Sequence, residues 1–152
     1  MAAGSLTEAI SVAKPHMTDT FNEMSSGAVL LGAWAIKGLK WSELQKLPST
    51  KHSLVMKDPD EERGKLMCAR GTVIEIQAVK TPQGKIFTGG LFSGAHIIRF
   101  IAVGSSGELV ARSRTGFCGI VVGKQSYANS VGGSAHAVFL VGMFSLPENK
   151  RS

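Results

Sequence analysis

The sequence predicts an α+β protein that is mainly β, in which N-terminal helices precede a five- to six-stranded antiparallel barrel. Apolar residues recur at helical spacing between residues 21 and 47 and alternate with a period of two from residue 66 onward. Most of the 18 glycines also lie beyond residue 64, where they indicate turns and strand bends. With 152 residues, 43% hydrophobic and 18% charged, the chain can form one domain with a buried core.

Four segments follow from this pattern. We expect a flexible arm at residues 1–17, a helical segment at 18–63 that packs on the barrel, the barrel itself at 64–146 and a polar tail at 147–152. Such a division places the recognition surfaces on the barrel and on the helices that cover it.

The helical segment begins with candidate N-caps at Thr18 and Asp19. Gly27 and Gly32 weaken the helix and indicate a break or a close approach to another element. A second helical stretch ends at Pro48, and one short further turn follows at residues 58–63. The apolar residues of the first helix lie at helical spacing: Phe21, Met24, Ala28, Leu31 and Ala35.

Six strands are predicted in the barrel, joined by Gly-rich turns without an intervening helix. Gly71 is expected to bend the first strand, and Pro82 with Gly84 forms a turn. The predicted strands span residues 66–79, 85–92, 96–104, 108–113, 116–127 and 136–144.

The order of these features resembles an OB-fold over residues 64–146. A long first strand carries a mid-strand glycine in "ARGTVIEI", meander strands follow, and a last strand closes the run. The sequence departs from that pattern between the third and fourth barrel strands, where "AVGSSGELVARSRTG" is too short and too rich in Gly and Ser for a helix. The resemblance implies a barrel whose outer surface and loops bind a partner.

Catalytic and metal-binding patterns are weak. A cysteine hydrolase needs a thiolate near a histidine, but Cys68 and Cys118 both lie on predicted strands, and His136 begins one. That chemistry is kept only as a remote alternative. The four histidines and two cysteines show no paired zinc-ligand spacing, so we expect no metal and no cofactor. Both cysteines are expected to be small, partly or fully buried residues.

Charge divides the chain unevenly. Residues 1–62 carry six Lys against eight acidic residues, a net of −2, while residues 63–152 carry eleven Lys or Arg against three Glu, a net of +8. The loop "NSVGGS" at residues 129–134 is a candidate recognition loop. The predicted binding residues are Arg99, Arg112, Arg114, Lys124, Tyr127 and Asn129.

Two partner classes remain open for this binding module, which is predicted not to be an enzyme. The first is another protein or further copies of the chain, bound through strand edges and the apolar N-terminal helix. The alternative is single-stranded nucleic acid, which the basic barrel favours and the scarcity of aromatic residues, at 7%, disfavours. No run of residues is long and apolar enough to span a membrane, and no signal peptide is apparent, which favours the cytoplasm.

Overall fold

The computed structural model describes residues 3–128 and 131–146. Within these residues the chain forms five α-helices and six strands. The helices are α1 (Leu6–Ala13), α2 (Ser26–Gly38), α3 (Trp41–Leu44), α4 (His52–Lys57) and α5 (Pro59–Glu62). The strands are β1 (Thr20–Phe21), β2 (Leu66–Thr81), β3 (Gly84–Ser93), β4 (His96–Ala102), β5 (Arg114–Ala128) and β6 (Ser134–Ser145). The predicted α+β, mainly β class is confirmed.

The strands pair around a roughly barrel-shaped ring in the order β5-β2-β3-β4-β6, and β6 pairs again with β5. Strands β2 to β4 are consecutive neighbours and β5 returns beside β2, which is a Greek-key order. The pairing is antiparallel except between β4 and β6 and between β1 and β5, which run parallel. The sheet is therefore mixed, whereas the sequence predicts antiparallel pairing throughout.

Strand β2 helps to close the ring because it pairs with two different strands. Its first half pairs with β5 up to Thr72, and its second half pairs with β3 from Thr72 onward. Gly71 lies at this change of partner, and a Cβ there would stand 2.3 Å from the carbonyl oxygen of Phe92. The predicted bend at Gly71 is the point where β2 passes from one side of the barrel to the other.

Three phenylalanine rings fill the barrel interior. Phe100, Phe117 and Phe144 lie with their ring centroids 5.2 to 5.3 Å apart, mostly in tilted or edge-on contact. Gly119 makes room for them, since a Cβ there would stand 2.9 Å from the Phe117 ring. Apolar residues from β2, β3, β4, β5, β6 and α4 complete this core.

A second core lies outside the barrel, between α1, α2 and the outer face of β4, β5 and β6. Helix α1 buries the i, i+3, i+4, i+7 face formed by Leu6, Ala9, Ile10 and Ala13, and Ser5 caps it by accepting a hydrogen bond from the Glu8 amide. The prediction of a flexible arm is therefore wrong for residues 6–13, which are part of the folded layer.

Two local predictions are also wrong. Helix α2 begins at Ser26, capped by Ser25, so residues 18–25 are not helical and instead include the short strand β1. Residues 108–113 form turns, not a strand, because Arg112 has a positive φ of 76° and the segment meets β2 only through backbone bonds at Val73. The predicted close approach at Gly27 is confirmed: a Cβ there would lie 2.5 Å from the Met17 backbone nitrogen.

None of the helices in the described part of the chain is long and apolar enough to cross a membrane.

Candidate functional site

A cavity of about 380 Å³ opens on the outer face of the ring. The register places Ala137 of β6 between Ile97 of β4 and Gln125 of β5, so a small residue lies between the two larger ones. We call this cavity the Tyr127 pocket, and its lining residues are Asn22, Ile74, Ile97, Arg99, Gln125 and Tyr127.

The hydroxyl group of Tyr127 is buried and has no hydrogen-bond partner among the described residues. Burial of a hydroxyl without a partner costs about 1–3 kcal/mol, and native proteins contain few such groups. Tyr127 is the one tyrosine of the chain, and it lines the wall of the cavity. Its hydroxyl group can therefore form a hydrogen bond with a ligand.

The side chain of Arg99 extends across the two neighbouring strands of the sheet. Its guanidinium donates to the Glu75 carboxylate at 2.7 Å and passes over Gly90, where a Cβ would stand 3.2 Å from Nη1. The register places Glu75, Gly90 and Arg99 side by side on three neighbouring strands. The positive charge of Arg99 is therefore neutralised locally, which leaves the Tyr127 pocket polar but not strongly cationic.

The remaining polar walls are fixed by the segment that precedes α2. Gln125 is buried, and its amide nitrogen donates to the Glu23 carbonyl at 2.8 Å. Asn22 has a positive φ of 60°, and its backbone nitrogen donates to the Ser126 carbonyl at 2.8 Å. Asparagine tolerates this left-handed conformation better than most residues, which fits its position at the end of β1.

Arg63 and Asp19 attach that segment to β5. The Arg63 side chain is only 6% exposed, and it donates to Asp19 at 2.7 Å, to the Val122 carbonyl at 3.1 Å and to Asp60. The same Asp19 oxygen accepts a hydrogen bond from the Lys124 backbone nitrogen at 2.9 Å. Lys124 is thus held through its backbone, beside the register shift of β5 near Gly123.

The predicted binding residues separate into two groups. Arg99 and Tyr127 line one pocket, with Lys124 on the same part of β5. Arg114 lies at the opposite end of β5, thirteen residues before Tyr127, which is roughly 40 Å in an extended strand. Arg112 is exposed in the turn just before Arg114. The predicted binding residues therefore do not form a single patch, and Asn129 lies outside the described residues.

Cys68 and Cys118 form a disulfide between directly paired positions of β2 and β5. Cys118 is buried as predicted, but the prediction is wrong for Cys68, which is exposed. Neither cysteine is free, so the thiolate that a cysteine hydrolase requires is not present in this state.

His136 lies on β6 and its Nδ1 is 2.6 Å from the Ser126 hydroxyl, in an exposed cross-strand pair. Ser126 is eight residues beyond Cys118 along β5, or roughly 26 Å at about 3.3 Å per residue. His136 therefore has a serine and not a cysteine as its neighbour. The distance removes the geometric basis of the remote hydrolase alternative.

His52 of α4 and His96 of β4 stack with their ring centroids 3.7 Å apart. Burial lowers the pKa of His52 below its usual value, and a positive charge on His96 lowers that pKa further. His52 therefore favours its neutral imidazole form at neutral pH. Among the described residues no three His, Cys, Asp or Glu side chains are grouped so as to hold a metal ion.

Four residues that line the Tyr127 pocket were not singled out from the sequence as site residues: Asn22, Ile74, Ile97 and Gln125. A signal for Gln125 existed in the strand pattern, since it shares a face with Tyr127, but Asn22 and Ile74 come from distant segments. The fold and the pocket define a barrel-like protein with a concave polar site on the outer face of the ring. The chain matches no protein-family model, and no curated protein matches it in sequence.

Proposed function

We propose that the protein is a non-enzymatic binding module that takes up a protein segment, from another protein or from a further copy of itself, in the Tyr127 pocket. The observation that carries the proposal is the buried hydroxyl of Tyr127, which has no partner in the described chain. A hydrogen-bonding group on a ligand recovers the free energy that this hydroxyl loses in the free protein.

The character of the walls favours a protein segment over a polyanion. Glu75 neutralises Arg99 at 2.7 Å, so little positive charge is left for a phosphate backbone. Ile74 is 43% exposed at the rim, and Phe21, next to Asn22, is 55% exposed. Exposed apolar side chains beside polar groups are typical of protein-binding surfaces.

The strand order supports an OB-fold assignment for residues 64–146. Five strands, β2 to β6, form a Greek-key ring, as in the OB-fold, although turns replace a helix between β4 and β5. OB-folds bind extended ligands on the outer face of their second and third strands and on the flanking loops. Arg99 and Ile97 lie on the third barrel strand, β4, which agrees with this use of the surface.

The disulfide bears on where such a module works. Disulfides form and persist in oxidising compartments and are rare in the cytosol. The bridge between Cys68 and Cys118 therefore supports an oxidising compartment, against the cytoplasmic expectation from the sequence.

A single substitution tests the proposal. Tyr127→Phe removes the unpaired hydroxyl, so it should raise the free energy of unfolding of the isolated protein by about 1–3 kcal/mol. Ser126→Ala is the matched control on the next residue: it removes a hydroxyl that has a partner, His136, and should lower stability slightly or leave it unchanged. Urea unfolding measures the change in the free energy of unfolding for both variants. A loss of stability in Tyr127→Phe contradicts the proposal.

The partner class is tested on the same variants. Sedimentation of the wild type over a range of concentrations measures self-association, and Tyr127→Phe should weaken it if copies of the chain are the partner. Addition of a single-stranded oligonucleotide tests the alternative. Oligonucleotide binding that weakens in Tyr127→Phe and falls steeply with salt would indicate that the pocket binds nucleic acid instead of a protein segment.

A further inference from the structure

Arg70 and Arg114 lie as diagonal neighbours on the outer face of β2 and β5. The register pairs Arg70 with Gly116 and Arg114 with Thr72, so the two arginines are two positions apart across the strand pair. Diagonal neighbours on one face of a sheet stand about 7–8 Å apart, within reach of one ligand for side chains as long as arginine. This position is at the opposite end of β5 from the Tyr127 pocket.

Contacts on both strands direct the two guanidinium groups. A Cβ at Gly116 would stand 3.1 Å from Arg70 Nη1, so the Arg70 guanidinium lies over the strand that carries Arg114. Arg114 Nη1 donates to the Thr72 hydroxyl at 3.2 Å, which turns its guanidinium back toward β2. The two cationic groups therefore converge on the seam between the strands.

Neither arginine has a carboxylate partner among the described residues. Arg63, Lys65 and Arg99 are all paired with acids, at a closest separation of 2.7 Å or less. Two like charges that are near neighbours and uncompensated repel each other, and a bound anion removes that repulsion. The pair therefore differs from Arg63 and Arg99, whose charges are compensated by acids.

A concavity of about 490 Å³ lies beside the two arginines, large enough for a small ligand. Its rim offers the side chains of Ser113, Ser145 and Glu108. The serine hydroxyls can donate to an anion, whereas the Glu108 carboxylate opposes one. Together the two arginines and Glu108 carry a net charge of +1. Removal of an arginine and removal of Glu108 should therefore change the affinity for an anion in opposite directions.

We infer that Arg70 and Arg114 form a binding site for a phosphoryl group. The planar fork of a guanidinium matches the oxygens of a tetrahedral oxyanion, and two such forks hold it from two sides. The phosphoryl group belongs either to a free phosphate or to the backbone of a nucleic acid, which share this chemistry. The site is separate from the Tyr127 pocket and does not depend on the function proposed for it.

Calorimetric titration with inorganic phosphate, in a chloride buffer without other oxyanions, tests the inference. We expect saturable binding that weakens about tenfold in Arg114→Gln and in Arg70→Gln, because each loses a charge-assisted contact. Glu108→Gln should strengthen binding, since it removes the opposing charge. Lys85→Gln is the control: it removes an exposed positive charge at the far hairpin and should change the affinity less than about twofold.

A second titration, with an oligomer of eight deoxythymidines, separates the two sources of the phosphoryl group. Oligomer binding that phosphate displaces and that Arg114→Gln weakens assigns the site to a nucleic-acid backbone. Phosphate binding without oligomer binding assigns it to free phosphate or a monoester. Saturable binding of neither ligand, or binding that Arg70→Gln and Arg114→Gln leave unchanged, overturns the inference. Far-UV circular dichroism of each variant checks that the fold is retained.

Discussion

The Asp19 carboxylate holds the Arg63 guanidinium at 2.7 Å across 44 residues of sequence, and the same oxygen accepts the Lys124 backbone amide. Asp19→Ala removes both bonds and leaves a buried guanidinium with less compensation, so we expect a loss of about 2 kcal/mol in the free energy of unfolding. Asp60→Ala is the control, because Asp60 pairs with the same arginine but is 91% exposed and should contribute less than about 1 kcal/mol. Urea unfolding measures both, and equal losses would contradict this account.

Reduction of the disulfide should weaken the fold substantially. The bridge joins residues separated by 50 positions, and a loop of that length corresponds to about 4 kcal/mol in the chain-entropy description of the unfolded state. A reducing agent should therefore shift the urea midpoint of the wild type to lower concentration. The double variant Cys68→Ala/Cys118→Ala should start from that lower stability and show no response to the reducing agent. A wild type that does not respond while its thiols titrate as free would be inconsistent with this prediction.

Acidification should destabilise the protein through His52. Because the folded state lowers the pKa of His52, the unfolded chain binds protons more readily, so this contribution is complete above about pH 6.5 and is lost as pH falls through the lowered folded value. His52→Gln should flatten the pH dependence of stability in that window. Hydrogen bonds from Lys65 and Thr50 lower the pKa of Glu62, whose contribution is lost at more acidic pH, below about 4.5. Thermal unfolding from about pH 7.5 to about pH 2.5 covers both windows and separates them.

Gly142→Ala should be among the most damaging single-methyl changes. A Cβ at this position would stand 2.0 Å from the Cys118 carbonyl oxygen and 2.4 Å from the Gly119 Cα, so the β5–β6 pair must move apart. We expect a loss of about 3 kcal/mol or more, at the upper end of overpacking effects. Gly4→Ala is the control, because no atom lies within 4 Å of a Cβ there. Comparable stability of the two variants, measured by thermal unfolding, would exclude close strand contact at Gly142.

The sequence pattern was sufficient for five of the six barrel-region strands because apolar alternation is a local property. It failed at residues 108–113, where "ELVARS" alternates like a strand but Arg112 turns the chain with a positive φ. It also failed at α1, where two of the four buried residues are alanine, a residue that carries little hydrophobic signal. In both cases the outcome depends on contacts with distant segments.

The candidate site was predictable only in part for a related reason. Arg99 and Tyr127 were identified as binding residues, and the structure places them in one pocket. Their separation from Arg112 and Arg114 depends on the length of β5, since residues close in sequence order can lie at opposite ends of a 15-residue strand. The pairing of Cys68 with Cys118 likewise depends on the register of β2 and β5, which two cysteines 50 residues apart do not specify.

The disulfide between Cys68 and Cys118 can report when β2 and β5 pair during folding. The two sulfurs come within bonding reach when β5 pairs with β2, a contact between positions 50 residues apart. Contacts between segments so distant in sequence form slowly compared with hairpins and helices. Oxidation of Cys68 and Cys118 during refolding, with samples quenched at intervals and analysed by mass, therefore dates the pairing of β2 with β5.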